Sequence, residues 1–192
     1  MKIVCLLGSP RIEGNSAAIA RRFLDTAEAF GAESETFILN KLSFRGCQAC
    51  YACKTKLDRC VMKDDLSPVL EAVKSADVLL LATPTYFGDV SGQLKCFIDR
   101  TYSFLKPDYL TNSLPSRLAP GKRLVFIITQ GHPDEGMFSH IFPLYDKFFR
   151  WYGFADSILI RACGVGSGGI VDLPERFLAE AEEAARVIMA QE

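Results

Sequence analysis

Four of the seven cysteines in this 192-residue chain stand close together as Cys47, Cys50, Cys53 and Cys60, spaced C-x2-C-x2-C-x6-C. Three cysteines at two-residue gaps can curl around one face of a cuboidal cluster, and a fourth a few residues later can close it. Four thiolates are what a 4Fe–4S cluster requires. The run departs from the bacterial ferredoxin pattern, in which the last gap is three and a proline follows. Lys54, Lys56 and Arg59 are interleaved with the cysteines; they would offset a cluster's negative charge and raise its potential. Two other chemistries use the same residues: free or disulfide-forming thiols, and structural zinc, although zinc sites usually set two cysteine pairs apart. Cys5, Cys96 and Cys163 fall in apolar segments and are expected as core filler.

A second stretch suits a phosphate. The apolar run Ile3–Leu7 leads into Gly8-Ser9-Pro10-Arg11-Ile12-Glu13-Gly14-Asn15-Ser16, after which a helical period begins. The start of a helix offers free N–H groups to an anion; Ser9, Asn15 and Ser16 add neutral donors and Arg11 a charge. The plainer alternative is a strand–helix turn with Asn15 or Ser16 as N-cap. The loop is not G-x-x-x-x-G-K-[ST], which disfavours a P-loop nucleotidase. It is not G-x-G-x-x-G either, and the second strand ends Ile38-Leu39-Asn40 with no acid to grip a ribose, which disfavours a resident dinucleotide. A flavin mononucleotide, with one terminal phosphate, asks less.

Both stretches need a scaffold, and the apolar pattern supplies one. Strands are expected at Ile3–Leu7, Ser34–Leu39, Asp77–Thr83, Arg123–Thr129 and Ser157–Cys163. Helices are expected at Ser16–Phe30, Ser67–Ser75, Ser91–Leu105, Met137–Tyr152 and Pro174–Ala190. Five strands alternating with five helices imply an α/β parallel sheet covered on both faces. Two connections are long: Asn40–Leu66, which carries the four cysteines, and Lys106–Lys122. Long loops in a compact domain tend to be functional. No linker interrupts residues 1–192, so one domain is expected, with a cysteine-rich loop at about 40–66.

Composition excludes several classes. Hydrophobic residues make up 49% and the formal net charge is −1, giving no reason to expect nucleic acid or an acidic membrane as partner. The apolar runs fall well short of the roughly 20 residues of a membrane helix. An odd cysteine count and the absence of a signal sequence point to a reducing, cytoplasmic setting.

Gly8-Ser9-Pro10-Arg11 with Asn15-Ser16, then Ala82-Thr83-Pro84-Thr85-Tyr86-Phe87-Gly88, then Gln93-Leu94-Lys95 and Phe97-Ile98-Asp99-Arg100, resemble the flavodoxin-like NAD(P)H-dependent FMN reductases over essentially the whole chain. The cysteine run resembles the iron–sulfur flavoprotein branch of that family. The resemblance implies a flavodoxin-like three-layer sandwich with strand order 2-1-3-4-5 and FMN at the switch point between strands one and three. It implies phosphate contacts from Ser9, Arg11, Asn15 and Ser16, and ring contacts from Pro84, Thr85, Tyr86, Phe87 and Gly88. Gln130 and Gly131 would approach the ring from the other side, and Cys47, Cys50, Cys53 and Cys60 would hold a 4Fe–4S cluster. The function it implies is FMN-dependent electron transfer, with NAD(P)H as a transient donor and a small-molecule or protein acceptor. The alternatives are a cluster-free FMN or quinone reductase, and a non-enzymatic redox carrier or thiol sensor. A homodimer or homotetramer is implied, and the aromatics Phe138, Phe142, Phe148, Phe149, Trp151 and Tyr152 exceed what one helix face can bury.

Overall fold

The computed structural model describes residues 1–166 and 173–190. A central parallel sheet joins β1 (Lys2–Leu7), β2 (Glu33–Ile38), β3 (Val78–Tyr86), β5 (Lys122–Gln130) and β6 (Phe154–Cys163) in the order β2-β1-β3-β5-β6. That is the expected order. A short strand β4 (Asp89–Val90) pairs antiparallel with the end of β3 and is a strand the sequence pattern did not announce.

Alternation along the strands assigns each face. Ile3, Cys5 and Leu7, with Val78, Leu80 and Ala82 and with Val125 and Ile127, meet α1 (Asn15–Ala29) and α6 (Glu175–Met189) through Ile19, Phe23, Phe177 and Ala181. Val4, Leu6, Leu79, Leu81, Leu124, Phe126 and Ile128 point the other way, onto α3 (Leu66–Ser75), α4 (Gly92–Arg100) and α5 (Ile141–Trp151). Strands buried on both faces read as continuous apolar runs, as these do. The edge strand β2 exposes Glu33 and Glu35, charges that discourage further pairing along that edge.

Among the boundaries that differ from the expected ones, three have a plain local cause. The segment expected as one helix from Ser91 to Leu105 is α4 followed by a 3-10 turn over Thr101–Phe104, in which Ser103 Oγ donates to the carbonyl of Arg100. The aromatic helix begins at Ile141 rather than Met137, because Phe138 adopts φ +67 and breaks the helical path. β3 runs on to Tyr86, because Thr85 and Tyr86 find partners in Val90 and Asp89. Four α5-region residues (Ile141, Tyr145, Phe149 and Tyr152) are core, whereas Leu144, Phe148 and Trp151 are exposed.

Candidate functional site

Chemistry-bearing residues collect in two places at the carboxyl end of the sheet. The first is built on the ends of β1 and β3, which are hydrogen-bonded neighbours with Leu7 opposite Ala82. Gly8 continues that contact, donating its N–H to the Ala82 carbonyl at 2.8 Å and accepting from Ser91 Oγ at 2.6 Å. A Cβ on Gly8 would stand 2.8 Å from Ser91 Oγ and 2.9 Å from Leu94 Cβ, so the close approach requires glycine. The chain then enters α1, whose N-cap is Gly14 with no side-chain cap. Asn15 and Ser16 are therefore the first helical residues and not caps, and no acidic side chain occupies the first turn. The unpaired N–H groups of that turn make a positive helix end.

One cavity gathers Ser9, Arg11, Asn15 and Ser16 from this loop with Pro84, Thr85 and Tyr86 from β3 and Gly131 from the loop after β5. Ser9 Oγ accepts the Arg11 N–H at 3.0 Å, which leaves its hydroxyl proton free to donate outward. Asn15 Oδ1 and Thr85 Oγ1 are buried without a hydrogen-bond partner, and both belong to residues lining this cavity. Buried polar oxygens of this kind are rare and call for a missing partner.

Three expected residues behave differently. Phe87 is completely exposed with φ +50, and Gly88 follows with φ +86. They are the two central residues of the β3–β4 hairpin, where positive φ at both matches the strand twist, so the Phe87 side chain projects into solvent. Gly88 is held by its carbonyl, 3.1 Å from His140 Nε2. Gln130 is buried, but its amide is committed: Nε2 donates to the carbonyls of His132 and Asp134, and Oε1 accepts from Arg161 Nε at 3.2 Å and Nη2 at 2.6 Å. Its side chain holds the 131–137 loop together rather than facing the cavity. The sequence pattern did not single out Gly14, Thr129, Val165 and Gly166, which complete the lining. The signal for the last two was the glycine-rich run that begins at Gly164, directly after β6.

The second place is a cavity of about 110 Å³ lined by Cys47, Cys50, Cys53 and Cys60 together with Tyr51, Val61, Met62, Arg100 and Tyr102. All seven cysteines are free. Among the described residues no three His, Cys, Asp or Glu side chains approach closely enough to chelate a single metal ion. Ala49 and Tyr51, on either side of Cys50, both adopt positive φ (50° and 55°). This left-handed backbone costs roughly 1–2 kcal/mol per residue, and such strain concentrates at functional sites. The only regular structure in the loop is α2 (Ala52–Thr55), a single turn.

Two cations tie this loop to the 101–105 turn. Lys54 Nζ donates to the carbonyls of Tyr102 at 2.6 Å and Leu105 at 2.8 Å, lies 4.0 Å from the Tyr102 ring centroid, and stands 3.7 Å from Cys53 Sγ. Burial lowers its pKa, the Cys53 thiol opposing and Arg117 adding like-charge repulsion. Arg117 donates to the Cys53 carbonyl at 3.0 Å and to those of Ser103 and Leu105. Lys56 and Arg59 are exposed, so of the interleaved cations only Lys54 touches the site. Of the three cysteines expected as core, Cys5 is fully buried, and burial pushes its thiol up to about 12. Cys96 and Cys163 are only half-buried; Cys96 lies beneath Gly46, where a Cβ would come within 3.3 Å of its sulfur.

The family model for NADPH-dependent FMN reductases matches residues 1–140. The chain belongs to that family. Among curated relatives it is similar to an iron–sulfur flavoprotein of Methanocaldococcus jannaschii, 35% identical over 121 residues, 63% of this chain and 62% of the relative. An iron–sulfur flavoprotein of Methanosarcina thermophila is 33% identical over 122 residues, 63% of each chain. The chain thus spans somewhat less than two thirds of the length of these two relatives. Among solved structures, an FMN-dependent NADH-azoreductase of Bacillus anthracis in complex with FMN superposes with a TM-score of 0.72 over 100% of this chain and 99% of that one, at 17% identity. That likeness establishes the flavodoxin-like fold.

Proposed function

We propose that the chain is an FMN-dependent oxidoreductase that passes electrons between FMN and a 4Fe–4S cluster, the 1–192 chain acting as one FMN-binding domain. The observation that carries the flavin half is the single cavity at the open end of α1 that joins Ser9, Arg11, Asn15 and Ser16 to Pro84, Thr85 and Tyr86, with Asn15 Oδ1 free to accept a ligand hydroxyl or N–H and Thr85 Oγ1 also unpartnered. Ser9, Arg11, Asn15 and Ser16 would hold the phosphate by N–H and O–H donors and one guanidinium. Pro84, Thr85 and Tyr86 would line the ring, with Gly131 opposite. When bound, FMN supplies reversible two-electron chemistry, taken as a hydride or one electron at a time. Tyr86 is still 44% exposed, which leaves the ring side open to a transient NAD(P)H.

The cluster half is supported by the four cysteines sharing one cavity and by the strained backbone around Cys50. A 4Fe–4S cluster there would supply single-electron chemistry. Cys47, Cys50, Cys53 and Cys60 would ligate it, Lys54 and Arg100 would offset its charge, and Tyr51, Val61 and Met62 would limit water access. Iron–sulfur flavoproteins among the relatives favour this reading over a cluster-free reductase. Seven free thiols suit the cytoplasm, and no described helix is long and apolar enough to cross a membrane.

A second copy of the chain is the proposed partner. Leu144, Phe148 and Trp151 repeat at helical spacing on α5 and are 46%, 42% and 38% exposed, forming an apolar stripe beyond the core-facing side. Sedimentation at micromolar concentration should give a dimer or tetramer.

The deciding experiment is an absorbance spectrum of protein purified without oxygen, with iron and acid-labile sulfide assayed on the same sample. A flavin spectrum over a broad brown shoulder, with about four irons per chain, is expected. A plain flavin spectrum without iron would replace the reading with a cluster-free reductase. Turnover of NADPH with a quinone then separates an enzyme from a carrier.

A further inference from the structure

Arg100, the last residue of α4, is the largest fully buried side chain among the described residues. Its guanidinium makes four directed contacts: Nε donates to Cys60 Sγ at 3.1 Å, Nη1 to the Arg45 carbonyl at 2.9 Å and to Asp64 Oδ2 at 2.8 Å, and Nη2 to Asp64 Oδ1 at 3.1 Å. Arg45 precedes the first cysteine of the loop and Asp64 follows the last. One side chain from a helix thus joins the entry and the exit of the cysteine loop and closes its neck. Closing a loop costs chain entropy, and here an element outside the loop meets that cost before anything binds.

The ion pair with Asp64 accounts for the buried charge, and the two terminal nitrogens are enough to make it. The Nε proton is left over, and it is aimed at sulfur. A neutral thiol is a weak acceptor. A guanidinium N–H spent on sulfur in a buried setting is explained by a sulfur that carries negative charge when the protein works, as an iron-bound thiolate does. Lysine could not replace it, having three donors at one point where arginine has a planar fork of five.

We propose that Arg100 is a positioning residue for the cluster: it closes the neck of the cysteine loop and donates Nε–H to the Cys60 thiolate, holding that ligand and raising the cluster's reduction potential. The inference rests on the cluster reading above and goes beyond it by assigning a specific donor outside the cysteine motif. N–H donors to cluster sulfur raise the potential, and partners of metal ligands typically matter about 10- to 100-fold for retention.

The test uses full-length FMN-loaded protein reconstituted anaerobically with iron and sulfide. Arg100→Gln should keep its FMN and lose cluster to a chelator about 10- to 100-fold faster than wild type. Arg100→Lys, which keeps the charge without the fork, should hold a cluster whose midpoint in an EPR-monitored titration is lower than wild type. Because Arg100→Gln strips a partner from Asp64 and can misfold, the same question is put to the unmutated protein. With 15N-labelled arginine, the reduced cluster should show a 15N hyperfine coupling that Arg100→Lys abolishes. A wild-type cluster with no such coupling, or an Arg100→Lys cluster with unchanged potential, overturns the role of Arg100 while leaving the cluster standing. Wild-type protein that takes up no iron and sulfide overturns the cluster reading, and this inference with it.

Discussion

The two chemistry-bearing loops leave the same end of the sheet and are held in opposite ways. The 8–16 loop is held by backbone: Gly8 bonds to the Ala82 carbonyl, Gly14 caps α1, and the site is the geometric consequence of a strand passing into a helix. The 46–63 loop has one helical turn and is held by side chains from distant positions. Arg100 grips its neck, and Arg117 and Lys54 tie it to the 101–105 turn. A backbone-built site is available to any chain with this fold, whereas a side-chain-built site belongs to a particular sequence.

If the two sites are independently built, each should be lost without the other. Cys53→Ala should abolish cluster uptake and leave FMN content unchanged, read from iron, sulfide and flavin on one sample. Joint loss of FMN would show that the loops fold as one unit. Ser9→Ala with Asn15→Ala should weaken FMN binding by about 100-fold or more, given roughly 1.5–3 kcal/mol for each hydrogen bond to a charged group and 1.4 kcal/mol per tenfold. Cluster content should not change, and unchanged FMN affinity would remove the phosphate assignment.

Gly8→Ala tests whether close backbone packing sustains the flavin side. Its Cβ would meet Ser91 Oγ and Leu94 Cβ inside 3.0 Å. Overpacking of this kind costs about 1–3 kcal/mol, measurable by urea denaturation, and the cysteine side should register only the general loss of stability.

The smallest effect separates the cysteines themselves. Burial raises the Cys5 thiol from 9.0 to about 12, with a hydrogen bond to Thr36 partly opposing. An acid whose folded value is raised contributes stability that is intact below pH 9 and is lost as pH climbs from 9 towards 12. Cys5→Ala should flatten that alkaline decline. In apoprotein at pH 9, iodoacetamide should label the exposed Cys47 and Cys50 and spare Cys5 until the chain unfolds. Early labelling of Cys5 would mean that the core opens locally.

Much of this was legible in the residues. Apolar runs such as Val78–Ala82 can only be strands covered on both faces, and their alternation with helical periods implied the sheet and its layers. Ser9, Arg11, Asn15 and Ser16 lie close in sequence, so the pattern brought them forward together, and all four line one cavity. The hairpin was missed because Phe87 at positive φ is an unusual residue for such a turn, and β4 is too short to show a period. Gln130 was misplaced because the sequence gives no hint of Arg161, 31 residues away, claiming its amide. Arg100 passed as one of the residues of a family-like segment, since nothing local reveals that its partners are Arg45, Cys60 and Asp64.

What the sequence by itself determined is the set of local facts: strand and helix identity through hydrophobic period, the glycine-marked loop after β1, and a four-cysteine run whose spacing limits its chemistry. Tertiary structure alone decided which side chains face which site. It turned Phe87 outward, drew Gln130 into a loop brace, left Asn15 Oδ1 and Thr85 Oγ1 in one cavity, and set a buried guanidinium against Cys60. The division has a physical cause. Secondary structure answers to neighbours within a few residues, whereas a buried polar group must find its partner wherever the packed chain brings one, and that pairing exists only after the layers have closed.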